Sequence, residues 1–260
     1  MNELPFTKYE GTGNDFVVLE GRAALAFDAR LAPGLCDRHF GVGADGVLLI
    51  LPPQHPGSAA RMRVINADGS EPEMCGNGLR CVALAVGTGA VVIDTGAGTK
   101  SCDVRVGEHG ATVTVDMGAV RWLGARTFSL PSGSLSGSIV DAGNPHLISF
   151  DPVATTERAA LGAALETHCS FPNRTNVEFA RIDAGRIELS VWERGVGFTL
   201  ACGTGACATA VAAWHLGLLG AAQVDVHLPG GRLRIERGTG DRVWMTGAAR
   251  RVFSGVWRAP

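Results

Sequence analysis

Lysine is nearly absent from this chain: Lys8 and Lys100 are the only two, and the remaining cationic side chains are arginine. A pyridoxal phosphate enzyme needs a lysine to hold its cofactor as a Schiff base. Neither position suits that role, since Lys8 precedes the first glycine motif and Lys100 lies in a Gly/Thr/Ser loop, and both are expected to be solvated surface charges. Net charge is also small. The 23 basic and 25 acidic side chains leave -2, which provides no field to gather nucleic acid or an anionic membrane. Long apolar runs are missing too: nothing approaches the about 20 residues of a membrane helix, and Met1 to Phe16 has no basic segment leading into a long apolar stretch. The expectation is a soluble, unexported, cytoplasmic protein with reduced thiols, binding neither nucleic acid nor membrane.

Common ligand motifs are missing or defective. No phosphate-binding G-x-x-x-x-G-K-[ST] occurs, because Gly98-Thr99-Lys100-Ser101 has threonine where the second glycine belongs. Gly41-Val42-Gly43-Ala44-Asp45-Gly46 matches G-x-G-x-x-G, but a polar segment precedes it and a strand-like Val47-Leu48-Leu49-Ile50 follows. That reverses the order a dinucleotide site requires, and a tight turn into a strand is the better reading. Among seven cysteines there is no Cys-x-x-Cys pair. Cys75 with Cys81 and Cys202 with Cys207 are spaced unlike zinc knuckles, so no metal is expected, and Cys81 and Cys207 read as small apolar helix residues.

What the chain has in quantity is hydrophobic residues, at 46%, and glycine, at 36 residues. The apolar content excludes disorder as the main state. Glycine divides the chain into short, alternating Val/Ile/Leu segments that read as strands, among them Val104 to Val106, Thr112 to Met117, Val224 to Leu228, Arg232 to Glu236 and Val243 to Thr246. Leu79 to Val86 and Ala206 to Leu219 lack that alternation and are apolar nearly all round, which predicts helices buried inside a sheet layer. Thr155 to His168 is an amphipathic helix candidate.

These parts repeat. Gly13-Asn14 recurs as Gly143-Asn144, and Cys75-Gly76-Asn77-Gly78 recurs as Cys202-Gly203-Thr204-Gly205, both at an offset of about 130 positions, and each Cys-Gly-x-Gly opens one of the apolar helices. The inference is an α/β protein of the α+β type, with two similar halves about a pseudo-twofold axis. Residues 1–120 would carry Cys75 and residues 121–260 would carry Cys202, with the extreme C-terminus free to pack back on the first half.

Cys75 and Cys202 each stand at a predicted helix start, where free backbone N–H groups lower a thiol pKa and attract a carboxylate. Two buried structural cysteines would also account for the pattern. The chemical reading is more specific: a thiolate removes a proton from one face of a carbon and a thiol returns one to the other. The carbanion delocalises into a carboxylate held by fixed N–H donors. No cofactor is needed.

Gly11-Thr12-Gly13-Asn14-Asp15-Phe16, the Asp37 to Gly46 segment, Asn66-Ala67-Asp68-Gly69-Ser70, Met74 to Gly78, Gly143-Asn144-Pro145-His146, Asn176-Val177-Glu178-Phe179, and Glu193-Arg194-Gly195 leading to Ala201 to Gly205 together resemble diaminopimelate epimerase. The resemblance implies that family's fold, two pseudo-symmetric domains that each wrap a curved, mostly antiparallel sheet or barrel around a central apolar helix. It implies a cofactor-free conversion of LL- to meso-2,6-diaminopimelate, feeding lysine and peptidoglycan synthesis, and it leaves a homodimer open. Residue by residue, it implies that Cys75 and Cys202 are the acid/base pair, with His146 and Glu193 supporting proton transfer. Asn14, Asn66, Asn144, Asn176, Glu193 and Arg194 would bind the substrate's amino and carboxyl groups, and the backbones of Gly76, Asn77, Gly203 and Thr204 its reacting carboxylate. A lone histidine is usually structural, and asparagines commonly form turns; here they accompany the thiol motifs.

One departure bears on substrate. The family usually continues Glu-Arg-Gly-x-Gly with Glu-Thr, whereas Gly197 is followed by Phe198-Thr199. Loss of a carboxylate near Cys202 would alter the rate or the preference, which keeps open a cofactor-independent racemase or epimerase for another amino acid.

Overall fold

The structure, a computed structural model, describes residues 3–130 and 133–258. In chain order the strands are β1 (Glu3–Gly11), β2 (Asn14–Leu19), β3 (Gly46–Leu51), β4 (Ala60–Asn66), β5 (Gly89–Thr95), β6 (Gly98–Gly107), β7 (Gly110–Ala119), β8 (Arg121–Leu130), β9 (Gly133–Asp141), β10 (Pro145–Ser149), β11 (Asn176–Asp183), β12 (Arg186–Glu193), β13 (Gly197–Thr199), β14 (Gln223–Leu228), β15 (Gly231–Arg237) and β16 (Arg242–Arg258). The α-helices are α1 (Gly21–Leu25), α2 (Ala32–Cys36), α3 (Gly76–Val86), α4 (Arg158–Glu166) and α5 (Gly203–His215). Contacts divide the chain into two compact units, Met1–Val115 with Thr246–Pro260, and Asp116–Met245.

In the first unit the strand order β1 to β7 is completed by β16, which also pairs with β1, so the sheet closes on itself. Glu3 lies opposite Arg258 and Glu10 opposite Arg250 along that seam. Among the described residues this closed sheet has no edge strand. The β2–β3 and β4–β5 pairs are parallel and the neighbouring hairpins antiparallel. Helix α3 packs against β1 through β6. It is buried all round from Gly76 to Ala83. A second layer, α1 and α2, covers the other side of β2 and β3 through Ala24, Phe27, Leu35, Val17, Leu19, Val47 and Leu49.

The second unit repeats this plan. Its strands run β8-β9-β10-β11-β12-β14-β15-β16, with β13 paired to β12. Here β10–β11 and β12–β14 are the parallel pairs. Helix α5 packs against β8 through β12, β14 and β15, and is buried at nearly every residue to Trp214. It ends where Gly217 takes a left-handed φ of 69° and Leu218 N–H reaches back to the Ala213 carbonyl at 2.9 Å, a glycine C-cap. Helix α4 closes a smaller cluster with Phe128, Leu147, Leu165, Phe171 and Val177.

Lys8 departs from its expected place on the surface. It is only 6% exposed, with its ammonium 2.5 Å from the Asp15 carboxylate and donating to the Gly43 carbonyl. The charge is tolerated inside because both partners are polar and one is anionic. The glycine segment supplies that carbonyl: Gly43 turns the chain at a φ of 77°, and β3 begins at Gly46.

Candidate active site

Cys75 is the N-cap of α3, with extended backbone (φ -134°) and its sulfur accepting from the Gly78 N–H at 3.4 Å. Glycine at that third helical position leaves room for a leucine methyl. A Cβ on Gly78 would stand 2.8 Å from Leu48 Cδ2.

Around this helix start the polar side chains form a chain with one direction. Arg80, fully buried, donates to Asn77 Oδ1 at 2.9 Å, to Thr12 Oγ1 at 2.7 Å and to the Ala248 carbonyl at 3.1 Å. Asn77 Nδ2 donates to Asn14 Oδ1 at 2.5 Å, and Asn14 Nδ2 to Asp45 Oδ2 at 2.8 Å. Arg38 clamps Asp45 and Asp15, each at 2.7 Å. The guanidinium at one end and the carboxylate at the other set the orientation of both amides, because an amide flip would oppose two donors or two acceptors. Asn66 is held separately, with Nδ2 donating to Ser70 Oγ at 2.9 Å.

Cys202 repeats the capping geometry on α5. Its φ is -126°, and the Gly205 N–H lies 3.4 Å from its sulfur, with Thr204 Oγ1 also at 3.4 Å. A Cβ on Gly205 would meet Glu178 Oε1 at 2.8 Å, so glycine lets a carboxylate lie against the first helical turn. Glu178 and His146 are both wholly buried, with Glu178 Oε1 and His146 Nδ1 2.6 Å apart. His146 Nε2 is 2.9 Å from Asn144 Oδ1.

The strand pair β11–β12 presents the remaining residues. Asn176 Oδ1 accepts from the Arg194 backbone N–H at 2.9 Å, and its Nδ2 donates to the Pro145 carbonyl at 3.2 Å. The Arg194 side chain donates to the Asn173 carbonyl and is otherwise exposed. Glu193 Oε1 accepts from Thr199 Oγ1 at 2.5 Å. Phe198, one residue earlier on β13, lies on the opposite face, with its ring edge against Trp192 at 5.3 Å. The position where the family carries a carboxylate thus points away from Glu193.

The expected lowering of the thiol pKa at a helix start is not found at Cys202. Burial pushes this thiol well above its ordinary range, and the Glu193 and Glu178 carboxylates push the same way. The Thr204 hydroxyl and the Gly205 N–H pull back only in part. Desolvation disfavours the thiolate more than one helix N-terminus favours it.

Within the first unit, then, Asn14, Asn77, Gly76 and Cys75 share one neighbourhood. Within the second, His146, Asn144, Cys202 and Thr204 share another with Glu178, while Asn176 meets the Arg194 backbone and Glu193 meets Thr199. Residues without an assigned part in the sequence reading hold these sets together: Arg80, Asp45 and Glu178, with Glu166 accepting from the Gly195 N–H at 2.9 Å and from Trp192 Nε1 at 2.8 Å. Each had a visible signal, a charged residue in an otherwise apolar segment. Among the described residues no group of three His, Cys, Asp or Glu side chains could hold a metal ion.

Comparison with known proteins places the chain. The family model described as diaminopimelate epimerase matches residues 6–123 and 138–252. A diaminopimelate epimerase of Microcystis aeruginosa is 42% identical over 98% of this chain and 99% of its own length. That of Desulforudis audaxviator is 44% identical, over 98% and 99%. Among solved structures, a hydroxyproline epimerase from Agrobacterium vitis superposes with a TM-score of 0.78 over 98% of this chain and 91% of its own, at 14% identity, which speaks to the fold alone. Family model, near full-length relatives and repeated Cys-Gly-x-Gly helix starts agree: the chain is a member of the diaminopimelate epimerase family.

Proposed function

We propose that this protein interconverts LL- and meso-2,6-diaminopimelate by inverting one stereocentre without a cofactor, in the cytoplasm, as a step toward lysine and peptidoglycan precursors. The observation that carries the reading is the matched pair of thiol caps. Cys75 on α3 and Cys202 on α5 have the same backbone conformation, and the same sulfur to third-residue N–H bond. Inversion needs a base on one face of the carbon and an acid on the other, and thiols serve as both. The N–H groups of Gly76, Asn77, Gly203 and Thr204 are the donors for the reacting carboxylate as it takes up charge.

Cys202 rests as a thiol, because burial raises its pKa. A thiol held protonated is suited to give its proton to the substrate carbon, and the thiolate it leaves serves as the base in the reverse direction. Thr199 keeps Glu193 in place. The exposed Arg194 guanidinium is available for the carboxylate at the non-reacting end of the substrate, where its planar fork fits two oxygens. Since Phe198 faces Trp192 and not Glu193, the departure from the family pattern removes no carboxylate from this set, and diaminopimelate is favoured over another amino acid.

Incubation of the protein with LL-diaminopimelate in deuterated water tests the reading. The expected result is meso product carrying deuterium at the inverted carbon. Saturable binding without exchange would show a binding protein instead.

A further inference from the structure

Glu178 and His146 are both wholly buried beside the start of α5, and Glu178 has no part in the mechanism proposed above. The pair's proton count can be read from geometry. His146 Nε2 lies 2.9 Å from the Asn144 amide, which is placed with Oδ1 toward the ring; in that placement Nε2 carries a hydrogen. His146 Nδ1 faces Glu178 Oε1 at 2.6 Å, too close for two lone pairs, so this contact holds a second proton. The pair then carries two protons and no net charge, whichever atom of the bridge holds the second. Neutrality is what burial demands, for both side chains are wholly buried and Glu178 Oε2 has no hydrogen-bond partner among the described residues. An unshared negative charge there would leave Oε2 buried with no donor to meet it, which is the costly way to bury a carboxylate. Burial accordingly pushes the Glu178 carboxyl up, against the pull of His146.

Backbone geometry keeps the pair in place. His146 lies opposite Asn176 across the parallel β10–β11 pair, and Glu178, two residues on from Asn176, points to the same face. The missing side chain of Gly205 leaves the room that the carboxylate occupies.

We infer that Glu178 is a positioning residue: by sharing a proton with His146 Nδ1 it keeps the hydrogen on Nε2, which binds Asn144 Oδ1 and leaves the amide's NH2 end turned away from the ring. Asn144 thus offers N–H donors, and recognises a carboxylate oxygen in preference to an ammonium. The consequence for substrate rests on the function proposed above. The state of the His146 ring does not.

Nitrogen-15 NMR of the full-length protein with labelled histidine, and His146 assigned by its loss in His146→Gln, reads the ring directly. A directly bonded proton on Nε2 is expected in the native protein and in Glu178→Gln, whose amide can donate to Nδ1. Glu178→Leu removes the partner, and should lose or average the Nε2–H signal. For diaminopimelate, Glu178→Gln should leave KM within about threefold, while Glu178→Leu raises KM about tenfold or more with a smaller change in kcat, the signature of lost binding. A bare Nε2 in the native protein would overturn the inference, as would an unchanged ring signal and unchanged KM in Glu178→Leu. If Glu178→Leu does not fold, the native and Glu178→Gln spectra still decide. An Nε2–H in a protein that does not turn over diaminopimelate would refute the proposed function and leave the pairing intact.

Discussion

The Cys202 sulfur accepts from the Gly205 N–H at 3.4 Å, and that glycine has no room for a side chain because Glu178 Oε1 would lie 2.8 Å from its Cβ. One backbone position thereby serves the thiol on one side and the carboxylate on the other. Its counterpart, Gly78 beside Cys75, would meet only a leucine methyl.

That difference separates two otherwise equivalent substitutions. Gly205→Ala must displace a buried carboxylate that is tied to His146, and an overpacking cost of about 1–3 kcal/mol is expected, with a fall in turnover. Gly78→Ala asks Leu48 to shift its terminal methyls and should cost less. Urea unfolding of the two variants checks the order, and equal destabilisation would contradict it.

Thr199→Val removes the hydroxyl that donates to Glu193 Oε1 while keeping the side chain's shape. A hydrogen bond to a charged group is worth about 1.5–3 kcal/mol. The expected result is a loss of kcat/KM of tenfold or more, with a stability loss no larger than that hydrogen bond's worth, read by steady-state kinetics beside thermal unfolding. Thr199→Ser should recover most of the activity.

Phe198→Glu restores the residue usual in the family. Because the ring packs on Trp192, on the face away from Glu193, the expected effect is a stability loss of about 1 kcal/mol from the lost aromatic pair. Turnover of diaminopimelate should change by less than about threefold, well under one hydrogen bond's worth. A large gain in rate would show that the carboxylate at this position acts on the site.

Stability should fall in alkali. Burial raises the thiol of Cys36 to about 11 and that of Cys102 to about 12, and those of Cys81 and Cys202 are raised as well. A group with a raised folded pKa binds its proton more tightly when folded. Its contribution is complete below the unfolded thiol pKa of about 8.5 and is lost as pH climbs toward the folded value, at up to about 1.4 kcal/mol per pH unit for each thiol. Melting temperature should therefore hold from pH 7 to 8 and drop between 9 and 11. Cys36→Ser, which carries no titrating thiol, should lessen the drop.

How much of this was legible in the sequence depended on what kind of signal a residue leaves. The two apolar helices could be read because their segments lack the alternation of the strands, and they begin at Gly76 and Gly203, one residue after each cysteine. The antiparallel hairpins could be read from glycine and alternation. The sequence leaves the C-terminus free to pack back on the first half, but its pairing with β1 was not legible, since pairing between residues so far apart in the chain leaves no local trace. Lys8 misled for a related reason: its composition says surface, and only the distant Asp15 and Gly43 make burial tolerable. The Cys202 pKa misled because helix-end electrostatics are local and visible, whereas desolvation comes from the whole fold. Glu178 was visible as a charge in the apolar β11, but its pairing with His146 requires the parallel register of β10 and β11.

The central claim, that Cys75 and Cys202 are the two proton-transfer groups, is tested most directly by following the α-proton and the configuration of diaminopimelate together in deuterated water, for the native protein, Cys75→Ala and Cys202→Ala. The account expects inversion to fall by about 10²–10⁴ in each variant, the range for losing one positioned acid or base. Inversion at the native rate in either variant would contradict it.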